Sequence, residues 1–265
     1  MINVLFFRYL LPKSTTEKLS IISNLYKKMN CLYLKAFLEK DNGNILNLIL
    51  NSLNFILNVS KCDNFTNKTN EKNSLNLIHL NIQILLTITY HKDLTDLLLE
   101  NKEYFNLILK IFSNIISSKN IVFSCEDLLN EIYNIFLNIV NNIIKNGHKL
   151  FISQIISNNM HLCIKDKFYL CVNCNCINEK HFISLINIIS SLYDNQKKDK
   201  LKTELVKLDL DNNGFNDIII GIIKKFGENK VINEKFSNFL DTYYQNQPQK
   251  NFLLLSDFNF LNMNL

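Results

Sequence analysis

The sequence predicts an all-α protein, because of its composition and its long amphipathic segments. The 265 residues include only 5 glycines and 2 prolines, which are too few for the many turns of a β-sandwich, a barrel or a doubly wound sheet. Hydrophobic residues make up 47% of the chain and charged residues 20%, so a folded core is expected rather than disorder. Long helices that each bury one face satisfy both observations.

The first segments of the chain predict two helices and a loop. Ser14 and Glu17 form the S-x-x-E pattern of a capping box, which predicts a helix that runs to about Lys40. Residues 45–60 are a second apolar segment and predict the next helix. The stretch 61–73 is polar and low in complexity, so we expect an exposed internal loop there.

From residue 74 onward, long and short amphipathic segments alternate. Residues 74–93 and 104–118 predict long helices, and residues 94–103 predict a short one between them. A further long helix is predicted over 125–142, and the same alternation returns over 181–246. The long helices are expected to begin near residues 74, 125, 180 and 230, which is a period of about 50 residues.

This order of helices resembles that of the armadillo/HEAT superfamily of helical-repeat proteins, at the level of architecture. The resemblance covers mainly residues 74–118 and 181–245, and Gly214 matches the small turn residue of that pattern. It implies an armadillo-like α-solenoid of about four to five irregular repeats, forming a single domain over 1–265. Residues 246–265 would then be a C-terminal capping segment or a tail. A compact all-α bundle is the alternative, because periodicity is the same in both.

Asparagine side chains are the candidate binding residues. In the armadillo proteins that the chain resembles, an asparagine on the third helix of a repeat often hydrogen-bonds the main chain of an extended peptide. The matching positions are Asn138, Asn187 and Asn238, whereas Thr87 takes that place in an earlier helix. An amide donates and accepts, so such a row could bind a peptide main chain. The alternative is a coincidence of an asparagine-rich composition.

The cysteine-rich stretch of residues 161–181 is a candidate metal site. The candidate ligands of a tetrahedral zinc ion are Cys171, Cys174, Cys176 and His181. The stretch lacks the Gly or Pro of a zinc knuckle, which favours a different interpretation. In that interpretation residues 162–173 form the second helix of a repeat. Cys163 and Cys171 would face inward as small apolar side chains, and His161 and His181 would be surface or capping residues.

Motifs of other chemistry are incomplete or absent from the sequence. The five glycines are too widely spaced for G-x-G-x-x-G or a Walker loop, and neither G-x-S-x-G nor H-E-x-x-H occurs. Residues 209–220 resemble a calcium loop, but Ile220 stands where a bidentate Glu is needed. We therefore expect no catalysis and no cofactor.

Composition also bears on partners and location. The formal net charge is +5, but Arg8 is the only arginine, so no nucleic-acid partner is expected. No segment reaches the roughly 18 uncharged apolar residues of a membrane span. Seven cysteines, an odd number, favour a reduced cytoplasmic protein. The expected function is a non-catalytic protein-binding scaffold or adaptor that uses the concave face of a helical array. The alternative is a zinc-stabilised or metal-sensing helical protein through residues 161–181.

Overall fold

The computed structural model describes residues 50–51, 79, 82–83, 85–117, 127–173, 179–196 and 214–244. All regular secondary structure in these ranges is helical, which confirms the predicted all-α class for this part of the chain. The helices are α1 (Lys92–Glu100), α2 (Lys102–Ser117), α3 (Asp127–Lys145), α4 (Lys149–Ser157), α5 (Met160–Asn173), α6 (Glu179–Gln196), α7 (Phe215–Phe226) and α8 (Lys230–Tyr244). Residues 85–89 are also helical. The predicted helix from Ser14, the loop 61–73 and the segment 246–265 lie outside the described residues.

The long helices begin close to their predicted positions. Helix α3 begins at Asp127, α6 at Glu179 and α8 at Lys230, whereas the sequence predicted starts near 125, 180 and 230. A short helix followed by two long ones occurs twice, as α1 to α3 and as α4 to α6. Helix α4 was not predicted as a separate element. Its start has no Ser, Thr, Asp or Asn cap, and His148 Nδ1 instead accepts a hydrogen bond from Phe151 N at 3.3 Å.

Asparagine and glycine set the other helix starts. Asn101 Oδ1 accepts a hydrogen bond from Glu103 N at 2.9 Å and so caps α2. Asn229 Oδ1 does the same for α8, accepting from Ile232 N at 3.1 Å. Gly214 precedes α7 with φ of 73°, a left-handed conformation that glycine adopts without steric cost. The turn predicted at Gly214 is therefore present.

The described residues divide into two compact units. The first holds the residues up to Ile115 and the part of α3 up to Ile139, and the second holds residues 116–117 and those from Val140 onward. The apolar core of the first unit includes Leu94, Leu98, Ile108, Phe112, Ile132 and Phe136. His79 of this unit also approaches Glu131, with Nε2 and Oε1 3.2 Å apart. A single domain over residues 1–265 stays a prediction.

The second unit is held together around α5. Helix α5 packs against α4, α6 and α7, and α8 packs against α6 and α7. The ring of Phe168 on α5 meets Phe182 on α6 at a centroid distance of 5.4 Å and Phe215 on α7 at 6.4 Å. Phe215 in turn lies 5.6 Å from the ring of Tyr243 on α8. One buried aromatic cluster thus joins four helices.

Helices α6 and α8 run parallel, with a constant offset of 50 residues. Near their beginnings, Asn229 Nδ2 donates a hydrogen bond to Glu179 Oε1 at 2.9 Å, a pair 50 residues apart. Near their ends, Tyr193 OH donates to Tyr243 O at 3.4 Å, again 50 residues apart. Two contacts at opposite ends with the same offset require parallel helices in a single register. We call this relation the 50-residue register.

The same offset recurs between α3 and α6. Ser191 Oγ donates a hydrogen bond to Asn141 Oδ1 at 2.8 Å, and this buried pair is also 50 residues apart. Both residues belong to the second unit. These three hydrogen bonds each join residues 50 positions apart, a separation equal to the period that the sequence predicted.

Helices α5 and α7 approach each other closely at two points. A Cβ placed on Gly221 would lie only 2.6 Å from Val172 Cγ1, so this crossing requires glycine. At the end of α5, Lys225 Nζ donates hydrogen bonds to Cys171 O at 2.8 Å and to Val172 O at 3.0 Å. Carbonyls in the last turn of a helix lack intrahelical donors, so Lys225 of α7 satisfies the end of α5.

None of the helices in the described ranges is long and apolar enough to cross a bilayer.

Candidate functional site

Helix α6 is covered by other parts of the protein except along one narrow row. Between Phe182 and Asp194, only Ile183, Asn187, Ser190 and Asp194 are exposed or partly exposed, and the other nine positions are buried. Their spacing of three or four residues places them on one face of the helix. We call these four residues the open row. It offers an amide, a hydroxyl and a carboxylate, which together can donate and accept hydrogen bonds.

The three predicted asparagines lie on accessible positions of three helices. Asn187 belongs to the open row of α6, Asn138 is half-buried on α3, and Asn238 is exposed on α8. Thr87, which takes the equivalent place earlier in the chain, donates its hydroxyl to Gln83 O at 2.9 Å within its own helix. The accessibility that peptide binding needs is present, and the binding itself stays a prediction.

The 50-residue register relates these positions differently from the sequence alignment. It takes Asn187 of α6 to Ser237 of α8, one residue before Asn238. One residue along a helix is a rotation of about 100°, so the register and the alignment of asparagines differ by about that angle on α8. Ser237 is half-buried, as Asn187 is. The sequence alignment did not include Ser237, because it matched asparagines and the register was not visible in the sequence; a binding role of Asn238 stays a prediction.

The cysteine-rich stretch is only partly described. Residues 160–173 form α5, as the repeat interpretation predicted, and Cys171 is buried on it with an exposed fraction of 4%. Cys163 is half-buried, and neither cysteine forms a disulfide. Two of the four proposed zinc ligands, Cys174 and Cys176, lie outside the described residues. Among the residues that are described, no group of three His, Cys, Asp or Glu side chains could hold a metal ion.

The packing interpretation expected His161 and His181 to be surface or capping residues, and both are at least half-buried. His161 is fully buried on α5. His181, in the first turn of α6, has its pKa lowered to about 4, mainly by burial and further by the charge of Lys167. The correction has a physical reason: α5 and α6 pack against each other, and the sequence does not show which helix covers a given position.

Sequence reasoning also missed Lys167, which lies between the two cysteines on α5. Its exposed fraction is 4%, and the four-residue spacing of Cys163, Lys167 and Cys171 places all three on one face. Burial lowers the pKa of Lys167 from 10.5 to about 8, while the neighbouring thiols act in the opposite direction. Burial likewise raises the pKa of the Cys163 thiol. The signal that could have found Lys167 is this spacing on an apolar helix face.

A lysine with a lowered pKa is a common feature of proton-transfer and imine-forming sites. Lys167, however, is almost completely covered, so a substrate has no route to its amine in this conformation. The Cys163 thiol has a raised pKa, which makes it a weak nucleophile. The main effect that we expect from Lys167 is therefore on stability, because burying its charged amine costs free energy.

Only the end of the partial calcium loop belongs to the described residues. Residues 209–213 lie outside the described residues, Gly214 forms the turn before α7, and Asp217 is exposed in the first turn of that helix. A carboxylate there interacts favourably with the helix N-terminus, which accounts for Asp217 without a metal.

Comparisons of the chain with protein-family models, with curated proteins and with solved structures found no match.

Proposed function

We propose that this protein is a non-catalytic scaffold or adaptor that binds other proteins, and that its binding surface includes the open row of α6. The observation that carries the proposal is the 50-residue register, which recurs at Asn141 and Ser191, at Glu179 and Asn229, and at Tyr193 and Tyr243. Equivalent positions of successive segments touch each other, as they do when structural repeats stack.

This register supports an armadillo-like solenoid over a compact bundle. In an up-and-down bundle, helices joined by short loops pack antiparallel, and nothing requires a constant offset between distant helices. Here α6 and α8 are parallel at both ends with the same offset. A stacked array places the accessible faces of such helices side by side, which produces one extended surface rather than a closed pocket.

The chemistry of the open row suits a polypeptide ligand. Asn187 and Ser190 each carry a donor and an acceptor, and Ile183 adds an apolar contact. An extended peptide main chain presents alternating N–H and C=O groups, which such side chains can satisfy without selecting a sequence. We also propose a cytoplasmic location, because the chain has seven cysteines, an odd number that suits a reducing compartment better than a disulfide framework.

A capture experiment with matched variants tests the proposal. Purified protein is immobilised and incubated with cell extract, and the bound proteins are quantified by mass spectrometry. The double variant Asn187→Lys with Ser190→Lys places two bulky charges in the open row, both at accessible positions. We expect at least one partner to be captured about tenfold less by this variant than by the wild type.

The control is Asn173→Lys, an exposed asparagine at the end of α5. It should capture the same partners as the wild type. Circular dichroism and thermal unfolding of each variant show whether its fold is unchanged. The proposal is contradicted if the folded double variant retains every partner at wild-type levels.

A further inference from the structure

One face of α5 carries two thiols and an amine in a single row. Cys163, Lys167 and Cys171 follow one another at intervals of four residues, which places successive side chains over the same face of the helix. Side chains four residues apart have Cβ atoms about 5 to 6 Å from each other, and the four-carbon chain of a lysine spans a gap of that size. The amine of Lys167 is therefore within reach of the neighbouring thiols while the helix stays intact.

Direction and exposure favour Cys163 as the reaction partner of Lys167. Long side chains on a helix point back towards its N-terminus, and Cys163 is the thiol on that side of Lys167. Cys163 is also half-buried, whereas Cys171 has an exposed fraction of only 4%. A small solute therefore has better access to Cys163 than to Cys171.

The surroundings of Lys167 keep part of its amine neutral. Burial lowers the pKa of Lys167 to about 8, so about one molecule in ten has a neutral amine at pH 7 and about half do at pH 8. On α6, His181 is neutral at these pH values, because its own pKa is lowered to about 4. On α7, Lys225 donates to the main-chain oxygens of Cys171 and Val172. A neutral amine has a lone pair and is a nucleophile.

We propose that α5 contains an oxidative modification site, in which a peroxide causes the sulfur of Cys163 to become bonded to the side-chain nitrogen of Lys167. Lys167 is covered, so an external substrate has no route to it, but here the second reactant is a side chain on the same face of the same helix. The proposal does not depend on the binding of a partner, so either one can fail while the other holds.

The reaction has two steps. In the first, the sulfur of Cys163 attacks hydrogen peroxide and the O–O bond breaks, which gives a sulfenic acid and one water molecule. Sulfur is oxidised in this step and the peroxide is reduced. In the second, the neutral amine of Lys167 attacks the sulfur, the S–O bond breaks, and the hydroxyl leaves as water with one proton of the amine. The product is a sulfenamide, a class of compound that sulfenic acids also form with backbone nitrogen.

The position of the row limits the competing reactions. A sulfenic acid otherwise condenses with a second thiol, but Cys171 is eight residues from Cys163, which is about 12 Å along the helix axis. A disulfide requires Cα atoms within about 7 Å. Burial and the charge of Asp166 raise the pKa of the Cys163 thiol, so the first step is slow and needs an excess of peroxide.

The cross-link changes the buried row in two ways. It removes the ammonium charge of Lys167, which is unfavourable to bury, and it closes a ring over one turn of α5. A thiol reductant reverses the reaction by attacking the sulfur of the S–N bond, which releases the Lys167 amine and leaves a mixed disulfide. A second thiol then restores Cys163. The modification is therefore reversible.

Mass spectrometry of the full-length protein tests the proposal. Reduced protein is incubated with hydrogen peroxide at pH 8, its remaining thiols are blocked with N-ethylmaleimide, and it is digested with trypsin. Trypsin cuts after Lys165, between the two residues, so the cross-link joins two peptides that are otherwise separate. We expect this joined product at a mass two hydrogen atoms below the sum of the two peptides, and we expect dithiothreitol to abolish it.

Two variants and an unfolded sample are the controls. Cys171→Ser should form the cross-link at the wild-type level, whereas Cys163→Ser should form none. In concentrated urea the helix is lost and Lys167 returns to its ordinary pKa of 10.5, so below about 1% of the amine is neutral at pH 8. We therefore expect at least about tenfold less cross-link in urea than in the folded protein.

The proposal is overturned if Cys163 of the folded wild type stays a thiol, or is oxidised, without formation of the joined peptides. It is also overturned if folded Cys163→Ser still forms the product, or if the yield in urea equals that of the folded protein. The wild type alone decides the first and the last of these outcomes, so a variant that does not fold leaves the test intact.

Discussion

The close contact of α5 with α7 at Gly221 predicts the effect of a substitution there. In the interior of a helix, Gly→Ala normally stabilises a protein by about 1 kcal/mol, because alanine loses less backbone entropy on folding. At Gly221 the added Cβ would lie 2.6 Å from Val172 Cγ1 and 3.4 Å from Val172 Cγ2. Valine is stiff at χ1, so rotating one methyl group away brings the other towards the new atom.

The magnitude follows from two opposing effects. Inserting a methyl group into a packed contact costs about 1 to 3 kcal/mol, and the gain in helix propensity offsets about 1 kcal/mol of that cost. We therefore expect Gly221→Ala to destabilise the wild type by about 1 kcal/mol. In a Val172→Ala background the obstructing methyl groups are gone, and the same substitution should stabilise by about 1 kcal/mol.

The assay is urea unfolding of the four proteins of this double-mutant cycle, followed by circular dichroism. The free energies of unfolding should show a coupling of about 2 kcal/mol between the two positions, well above the additivity error of distant sites. The reasoning is refuted if Gly221→Ala stabilises the wild type, or if its effect is the same in both backgrounds.

Three further predictions concern the second unit. Lys167→Met should stabilise the protein by about 2 to 3 kcal/mol at pH 7, because the folded pKa of about 8 lies below the unfolded value of 10.5. The free energy of unfolding of the wild type should rise with pH between 8 and 10.5, because the unfolded chain binds the lysine proton more tightly. The difference between Lys167→Met and the wild type should therefore shrink over that interval. A difference that does not change with pH would argue against a buried charge. Lys225→Met removes the donor to Cys171 O and Val172 O and should lower the free energy of unfolding in urea by about 1 kcal/mol. The control is Lys224→Met at the exposed neighbouring position, which should have little effect. Equal losses of stability in the two variants would contradict a role of Lys225 in capping α5. Ser191→Ala removes the buried hydrogen bond to Asn141 and should lower the free energy of unfolding by about 1 to 3 kcal/mol. The double variant Ser191→Ala with Asn141→Leu should lose less stability than the sum of the losses of the two single variants. Strictly additive losses in thermal or urea unfolding would show that the two residues are not coupled.

Much of the secondary structure of the described residues could be predicted from local sequence. The starts of α3, α6 and α8 follow from apolar residues that recur at helical spacing, and Gly214 marks a turn because glycine adopts its left-handed conformation. Helix α4 could not be predicted in the same way. Its cap is His148, a residue type that does not usually mark a helix start.

The candidate site was predicted only in part. Asn187 was identified and lies in the open row, but its neighbour in the 50-residue register, Ser237, was not. Matching like residues in two segments does not fix the register to the residue, and one residue along a helix is a rotation of about 100°. The burial of Lys167 and His161 was missed for a related reason, since it depends on which helices cover α5.

Sequence alone therefore establishes that this part of the protein is helical, that its long helices recur about every 50 residues, and that asparagine is available on them. These properties are local, because helix periodicity and capping involve residues three or four positions apart. Tertiary structure decides the parallel register of α6 and α8, the face of α6 that stays open, and the burial of Lys167. Each of these depends on contacts between residues about 50 positions apart, and side chains that distant are brought together only by the packing of whole helices.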